Sequence, residues 1–249
     1  MKCIAVATFL FFAAASFAQS VIPNGTILPV KLNSSLNSKK GKVRQEINGT
    51  LAQDVPLASG SKIRAGAKLV GHILAVAGDD KATGATLAFR FDTLETAGRS
   101  ISLTTDLRAI ASMMEVHDAQ LPKSGPDRGT SEIAWATQQV GNEVDYHGGW
   151  SVTNGPEVVG KSLLSGGVLA QVRSHPWTPC RGELDNNDQP QALWVFASDA
   201  CGSYGFADLT IAHAGRTEPV GQIVLASEKG NIDVRGGSGM LLRVIGSTH

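Results

Sequence analysis

Cysteine is scarce in this sequence, with only three residues among 249. Cys3 lies close to the N-terminus, so Cys180 and Cys201 are the two that remain for the body of the chain. This number excludes a structural zinc centre built on four thiolates. An even pair instead favours one disulfide formed in an oxidising compartment. The alternative is two buried free thiols, and a catalytic cysteine fits less well because its thiol would have to stay reduced there.

Charge is also scarce and evenly balanced. Lys and Arg together number 22, as do Asp and Glu, and charged residues make up 18% of the chain. Proteins whose main partner is nucleic acid or an anionic membrane surface normally carry an excess of positive charge. The balance therefore argues against both kinds of partner.

A long apolar run occurs only at the N-terminus. Lys2 precedes the apolar stretch Ile4 to Phe12, and small residues lead up to Ser16-Phe17-Ala18. This order is typical of a secretory signal peptide, so residues 1–18 are predicted to be removed by cleavage after Ala18. The alternative is a membrane anchor, but the run is short for a span of about 20 residues. We therefore expect a periplasmic or secreted protein with no transmembrane segment after signal cleavage.

The common sequence patterns of catalysis and cofactor binding are missing. The chain contains no G-x-S-x-G and no H-E-x-x-H. Residues 155–162, GPEVVGKS, match the letters G-x-x-x-x-G-K-[ST], but they lie among short strand-like runs without the strand-turn-helix context of a phosphate-binding loop. Its six histidines show no paired metal-ligand spacing, and the closest local clusters are His117-Asp118 and Asp145-Tyr146-His147. We therefore expect no metal, no cofactor and no enzyme activity. A hydrolase whose site is assembled only in three dimensions stays open as an alternative.

Glycine is abundant, at 28 residues, and short apolar runs alternate with Gly, Asn, Asp and Pro along the chain. This pattern is typical of a mostly β protein. The clearest strand contains Leu87, Phe89 and Phe91, which alternate with more polar residues and so share one face. A turn at residues 96–99 and a second extended run at 100–110 follow. This segment is predicted to be a β-hairpin.

The composition changes at a polar stretch that contains proline and glycine. We predict a small β-barrel-like module over residues 19–117 and a linker or long loop over 118–131. Residues 132–249 are predicted to form a second β-rich module, a sandwich or a barrel, that holds the one disulfide. This second module contains all four tryptophans and both tyrosines.

Several segments of the second half give specific expectations. Residues 158–173 and 219–235 share a V-G start, a leucine, a serine and a glycine turn, which predicts two similar hairpins. Residues 193–197 are apolar at every position, which predicts a strand buried on both faces. Met240 to Ile245 should form a terminal strand that pairs within a sheet.

Residues 22–108 are similar to a known family in the order of their features. They begin with Ile22-Pro23-Asn24-Gly25-Thr26, continue with Gly60-Ser61 and Leu69-Val70-Gly71, and end with Ser100-Ile101-Ser102-Leu103. This order resembles the C-terminal β-barrel domain of TrbI-like scaffold subunits of conjugation and type IV secretion channels. The resemblance covers about a third of the chain and implies a small barrel in the cell envelope. It does not extend to the cytoplasmic and inner-membrane segments of those subunits, so it implies no channel.

The aromatic residues of the second half provide the candidate binding residues. Trp177, Trp194 and Tyr204 lie close in sequence to Cys180 and Cys201 and could stack on a sugar or a peptide. The alternative is that these residues form a core held by the disulfide.

Four carboxylates near the aromatics raise the possibility of glycoside cleavage, which uses a pair of acids. They are Glu143, Asp145, Glu183 and Asp185. The last two lie in a run of acids and asparagines that is more typical of a polar turn. The sequence therefore favours an exported, non-enzymatic envelope protein that acts by binding or scaffolding, with an envelope protein or a glycan as partner. The alternatives are a carbohydrate- or peptide-binding module and a hydrolase with an unrecognised site.

Overall fold

The structure is a computed structural model that describes residues 22–80, 84–123, 135–147, 149–174, 180 and 189–248. The described chain is mostly β, as predicted, with a single helix. The signal peptide predicted for residues 1–18 lies outside the described residues. Among those that are described, no helix has both the length and the apolar character needed to cross a membrane.

Strands and the helix follow one another along the chain in two groups. The first group is β1 (Ile27–Leu32), β2 (Leu36–Asn37), β3 (Glu46–Leu51), β4 (Val55–Pro56), β5 (Lys62–Ile63), β6 (Lys68–Asp80), β7 (Gly84–Thr96), β8 (Arg99–Ala111) and the helix α1 (Met113–Gln120). The second is β9 (Ala136–Gln138), β10 (Val144–Tyr146), β11 (Ser151–Asn154), β12 (Glu157–Ser162), β13 (Val168–Ala170), β14 (Gln191–Ala192), β15 (Gly202–Tyr204), β16 (Leu209–His213), β17 (Ile223–Ser227), β18 (Asp233–Val234) and β19 (Gly239–Thr248).

Six antiparallel strands close into a barrel. The ring runs β8, β19, β1, β3, β6 and β7, and the turn end of the β7–β8 hairpin closes it where residues 93–96 pair with 99–102. Leu87, Phe89 and Phe91 are all buried in the barrel core, so the predicted hairpin and its inward face are confirmed. The barrel is bordered by β17 and β16 beyond β7, and by β15, which runs parallel to β8.

The strands are not distributed as two consecutive modules. Strands from residues 202–248 join the same sheet as those of residues 27–111, and β19 lies between β1 and β8. Residues 136–192 form a separate six-stranded sheet in the order β14-β13-β12-β11-β10-β9. The boundary expected at 118–131 also overlaps α1, which ends at Gln120. Local composition marks loops, whereas the pairing of strands far apart in sequence decides which module a segment joins.

Three further expectations can be compared with the structure. The terminal strand is confirmed, since β19 pairs with both β1 and β8. Residues 158–173 do form a hairpin of β12 and β13. Residues 219–235 do not, because β17 pairs with β7 and β16 while β18 pairs with β2. The expectation of two similar hairpins was therefore wrong. The glycines that the two segments share lie in turns that do not join equivalent pairs of strands.

The segment 193–197 is buried throughout, as its composition indicates, but it is a turn and not a strand. The N–H of Phe196 donates to the carbonyl of Leu193 at 2.9 Å, which closes the turn. Its links to extended backbone are a bridge between Val140 and Phe196 and a hydrogen bond of 2.9 Å from the N–H of Leu193 to the carbonyl of Val168 in β13. The prediction of a strand was wrong, because a run of apolar residues indicates burial but does not specify the backbone conformation.

A second hydrophobic core lies between the outer wall of the barrel and the six-stranded sheet. Ile27, Ala109 and Leu241 contribute from barrel strands, and residues 193–197 pack against them. Helix α1 covers this core with Val116 and Ala119. Its N-terminus is fixed at Ser112, whose hydroxyl accepts a hydrogen bond from the N–H of Glu115 at 3.2 Å. This arrangement brings α1, the small sheet and the buried turn together around one cleft.

Candidate functional site

A cleft of about 370 Å³ opens between the C-terminal end of α1, the six-stranded sheet and the buried turn. Its polar lining comes from Thr137, Gln139, Asp145 and His147, and Trp194 forms part of its wall. The volume falls at the small end of the usual range for ligand pockets, which is about 300–1,000 Å³. The cleft therefore has room for a small molecule.

A larger depression of about 530 Å³ lies on the barrel surface beside Arg44, His72 and Arg90. The side chains of His72 and Arg90 are exposed and already paired, since Asp92 Oδ2 lies 3.1 Å from both His72 Nδ1 and Arg90 Nε. Exposed pairs of this kind contribute little energy and need no ligand to satisfy them. The cleft beside α1 differs in this respect, and we take it as the candidate site.

Two hydrogen-bond acceptors in the cleft have no partner among the described residues. Asp145 and Gln139 are only 5% and 4% exposed, yet Asp145 Oδ1 and Gln139 Oε1 make no hydrogen bond. The amide nitrogen of Gln139 donates to the carbonyl of Phe196 at 2.7 Å, which fixes the amide with its oxygen directed away from that carbonyl. A buried polar atom without a partner costs about 1–3 kcal/mol, so such atoms are rare and commonly mark a ligand or water site.

The pairing of β9 and β10 sets where these side chains point. Asp145 lies directly opposite Thr137 in the ladder, and the N–H of Gln139 bonds the carbonyl of Glu143 one step further on. Because side chains alternate along a strand, Thr137, Gln139 and Asp145 share the buried face of the sheet. These three side chains therefore project from hydrogen-bonded backbone and not from a loop.

Burial raises the pKa of Asp145 above its usual range, and the neighbouring His147 and the Ser162 hydroxyl partly oppose that rise. The second carboxylate oxygen of Asp145 lies 4.0 Å from His147 Nε2. The backbone N–H of His147 donates to the carbonyl of Trp135 at 2.9 Å, and the rings of these two residues lie 5.8 Å apart. The Thr137 hydroxyl lies 3.5 Å from Nε2.

Trp194 adopts a backbone conformation that tryptophan seldom takes, with φ of +51°. Such a residue stores strain of about 1–3 kcal/mol, and residues of this kind cluster at functional sites. The strained turn is held by Gln53, whose Oε1 accepts hydrogen bonds from the N–H groups of Trp194 at 2.7 Å and Val168 at 3.2 Å. Gln53 Nε2 also donates to the carbonyl of Val168 at 2.9 Å. A side chain from the barrel half thus positions the cleft wall.

The structure places only part of the predicted binding set at the cleft. Trp194 borders it, whereas Tyr204 is half-buried against the second core and is not part of the lining. The Tyr204 hydroxyl accepts a hydrogen bond from the N–H of Cys201 at 2.9 Å, and burial raises its pKa. Trp177 lies outside the described residues.

The predicted disulfide is confirmed. Cys180 and Cys201 are bonded, with their Cα atoms 6.0 Å apart. This separation lies in the range usual for disulfides. The bond ties residue 180 to the segment that enters β15, beside the barrel strand β8.

The candidate carboxylates are separated by the fold. Glu143 is fully buried and accepts hydrogen bonds from the N–H of Ser198, at 2.8 Å, and from its hydroxyl. Burial raises the pKa of Glu143, and Glu143 is not among the cleft residues. Glu183 and Asp185 lie outside the described residues. Asp145 is therefore the carboxylate that the structure places at the cleft.

A metal centre needs several ligating side chains close together. Within the described residues, no three or more His, Cys, Asp and Glu side chains come together as a possible metal site. His117-Asp118, one of the two local clusters, lies on α1. The other contains Asp145 and His147, which form part of the cleft.

A buried charge cluster lies at the barrel wall, away from the cleft. Asp106 is fully buried, with Arg243 Nε at 2.9 Å and Arg216 Nε at 3.3 Å from its Oδ2. Burial lowers the pKa of Arg216. These contacts join β8 to β19 and to the segment before β17. We therefore assign the cluster to the stability of the barrel.

The sequence did not single out Gln53 or Gln139. Glutamine is common on protein surfaces, and no local pattern distinguishes a buried one. Their roles arise from contacts with residues 141 and 57 positions away. Asp145 and His147 were noted as a local cluster, but only the register of β9 and β10 places Gln139 beside them.

Comparison with known proteins identifies no matching family model for this chain and no significantly similar curated sequence.

Proposed function

We propose that the protein is an exported, non-enzymatic binding protein that takes a small polar ligand in the cleft beside α1. The observation that carries this proposal is the pair of buried acceptors, Asp145 Oδ1 and Gln139 Oε1, that have no protein partner. A ligand with hydrogen-bond donors would satisfy both. The strained conformation of Trp194 at the cleft wall supports the same conclusion.

The contacts at the cleft support binding over hydrolysis. A serine hydrolase needs a hydroxyl that a histidine can deprotonate. The Ser162 hydroxyl, which lies on the same sheet, is bonded to the backbone carbonyls of Tyr146 and Trp150. The His147 ring instead contacts the Thr137 hydroxyl, at a distance of 3.5 Å that is long for a hydrogen bond.

Export and an envelope location rest on features of the sequence. The signal-peptide pattern of residues 1–18 and the resemblance of residues 22–108 both favour them. The Cys180–Cys201 bond is compatible with an oxidising compartment. N-terminal sequencing of the protein recovered from the host envelope or medium tests this part of the proposal. We expect Gln19 or its cyclised form as the first residue, and an intact Met1 would contradict it.

Ligand binding can be tested by tryptophan fluorescence with a panel of monosaccharides, amino acids, amines and short peptides. We expect at least one of these classes to give a saturable change in the wild type. The change should be lost in Trp194→Phe and kept in Trp150→Phe, because Trp150 lies in an exposed turn outside the cleft. If the fluorescence change is lost in Trp150→Phe alone, the ligand binds outside the cleft. If no class gives a saturable change in the wild type, the proposal is contradicted.

A scaffold function is a second candidate, and exposed apolar side chains around β11 and β12 favour it. Trp150, Val158 and Leu164 are 54%, 62% and 87% exposed. Several exposed apolar side chains in one region can mark a protein interface. Sizing of the protein extracted from its host without denaturants tests this function. Recovery in a large complex that Leu164→Ser weakens would support it, whereas recovery as a monomer would contradict it.

A further inference from the structure

We infer that the ligand of the cleft carries a protonated amine, which is bound between Asp145 Oδ1 and Gln139 Oε1 beside Trp194. This inference rests on the proposed function and specifies its ligand class. Three features carry it: the strand register that places the two side chains on one face, the unpartnered acceptor oxygen on each of them, and the charge of the lining.

The spacing of the two acceptors suits a single donor group. Asp145 lies opposite Thr137, and Gln139 is two residues further along the neighbouring strand on the same face. Diagonal neighbours of this kind have Cα atoms about 7–8 Å apart and side chains that can reach a common point. One nitrogen between them can therefore donate to both oxygens.

Both groups need a donor from the ligand. An ionised carboxylate only accepts hydrogen bonds. The Gln139 amide nitrogen donates one of its two hydrogens to the carbonyl of Phe196, and the amide oxygen is the acceptor that has no partner among the described residues. An ammonium group supplies three N–H donors on one atom. It satisfies two acceptors at once, whereas one hydroxyl has a single hydrogen to donate.

The charge around the cleft favours a cation. Among the described lining residues, Asp145 and His147 are the only side chains that can carry a charge. A neighbouring cavity of about 170 Å³ shares Ala119 and Gln139 with the cleft and adds two acids and one base, namely Glu115, Asp118 and Lys123. A buried carboxylate is costly unless it is paired, and a bound ammonium supplies the missing partner.

Trp194 adds a favourable surface for the same group. Its side chain lines the cleft and is held at 7% exposure by the turn that Gln53 supports. An ammonium close to the face of an indole ring gains about 0.5–2 kcal/mol. The body of a small amine can also pack against Ala52 and Val195, which line the cleft.

Calorimetric titration with two matched pairs of probes tests this inference. Glucosamine is compared with N-acetylglucosamine, and n-butylamine with n-butanol, so that each pair differs in its ammonium group. We expect the amine of at least one pair to bind about ten-fold more tightly than its neutral partner. A preference in the glucosamine pair alone indicates an amino sugar, whereas a preference in both indicates recognition of the amine itself.

Variants show whether the cleft is responsible. Asp145→Asn should remove the preference for the amine and leave the neutral probe unaffected. Because that variant alters a buried site, Gln120→Lys and Gln120→Glu provide a second test at an exposed position of the cleft. The lysine should weaken amine binding several-fold and the glutamate should not.

Two results would overturn the inference, and they differ in what they mean for the proposed function. If neither amine binds more tightly than its neutral partner and Trp194→Phe removes the binding of both members of a pair, the cleft is a binding site but not for an amine. If the amines show no binding, or if binding is unchanged by both Asp145→Asn and Gln120→Lys, the amine site is excluded. Failure of the whole fluorescence panel would be needed to exclude the proposed function.

Discussion

Gln53 Oε1 accepts a hydrogen bond of 2.7 Å from the backbone N–H of Trp194, across 141 residues of sequence. The same side chain also pairs with both backbone polar groups of Val168. Gln53 is only 2% exposed, so water does not compete for these bonds. This one amide therefore joins the barrel half of the chain to the strand and the turn that form the cleft.

Replacing Gln53 by alanine should destabilise the protein by about 2–4 kcal/mol, because the N–H groups of Trp194 and Val168 lose this acceptor and the carbonyl of Val168 keeps only the donor from Leu193. The variant should also weaken ligand binding, since the turn at Trp194 loses its support. Denaturant unfolding measures the first effect. Gln138→Ala is the matched control. The Gln138 side chain is exposed, and among the described residues its hydrogen bond goes to the side chain of Asn142. Equal stability of the two variants would contradict the role of Gln53.

Removal of the disulfide should lower stability by about 3 kcal/mol, the usual contribution for a closed loop of this length. Thermal unfolding with and without dithiothreitol measures the loss. A Cys180→Ala, Cys201→Ala double variant should show the lower melting temperature in both conditions. A wild type whose melting temperature does not respond to complete reduction, checked by thiol titration, would show that the bond does not stabilise the fold.

Replacing Asp106 by alanine should destabilise the barrel by about 3–5 kcal/mol, because Arg243 and Arg216 lose the buried carboxylate they bond. Glu157→Gln is the control, since Glu157 and Arg173 form an exposed pair at 2.6 Å and such pairs contribute about 0–1 kcal/mol. Urea unfolding of both variants provides the comparison. A loss below about 1 kcal/mol for Asp106→Ala would contradict this assignment.

The two buried carboxylates of the small sheet should make stability fall as pH rises. Burial raises the pKa of Glu143 above its ordinary 4.5 and that of Asp145 above 3.8, so the folded state holds these protons more tightly. Their contribution is fully present below the ordinary values. It is lost as pH rises through the raised ones, because the native state then binds more protons than the unfolded state.

Glu143→Gln should therefore flatten the decline of unfolding free energy above about pH 4.5, even if it lowers stability overall. Asp54→Asn is the control of opposite sign. A hydrogen bond from Lys62 and one from the N–H of Ala65 lower the pKa of Asp54, so its contribution is lost only as pH falls below 3.8. An unchanged slope above pH 4.5 in Glu143→Gln would contradict the prediction.

The parts of the fold that sequence could predict are those set by neighbouring residues. Leu87, Phe89 and Phe91 alternate with polar positions, so the hairpin of β7 and β8 and its buried face followed from a period of two. The closure of the barrel did not follow, because β1 pairs with β19 more than 200 residues away. Strand partners at such distances leave no local pattern.

The sequence singled out Trp194 and the Asp145–His147 cluster of the cleft, but it gave no sign of Gln139 or of the cleft itself. Trp194 attracted attention because tryptophan is rare in this chain. Its turn was mistaken for a strand because five consecutive apolar residues indicate only burial, whereas the turn is held by the hydrogen bond that the N–H of Trp194 donates to Gln53. Asp145 and Gln139 become a site only when β9 and β10 pair in register.

Fluorine NMR of the protein labelled with 5-fluorotryptophan tests the cleft most directly. The four tryptophans give separate probes, and Trp194→Phe and Trp150→Phe assign the two signals that matter. On titration with the same monosaccharides, amino acids, amines and short peptides, we expect at least one class to give a saturable shift of the Trp194 signal and an unmoved Trp150 signal. A saturable shift of Trp150 with Trp194 unmoved, or no shift of either signal with any class, would contradict binding at the cleft.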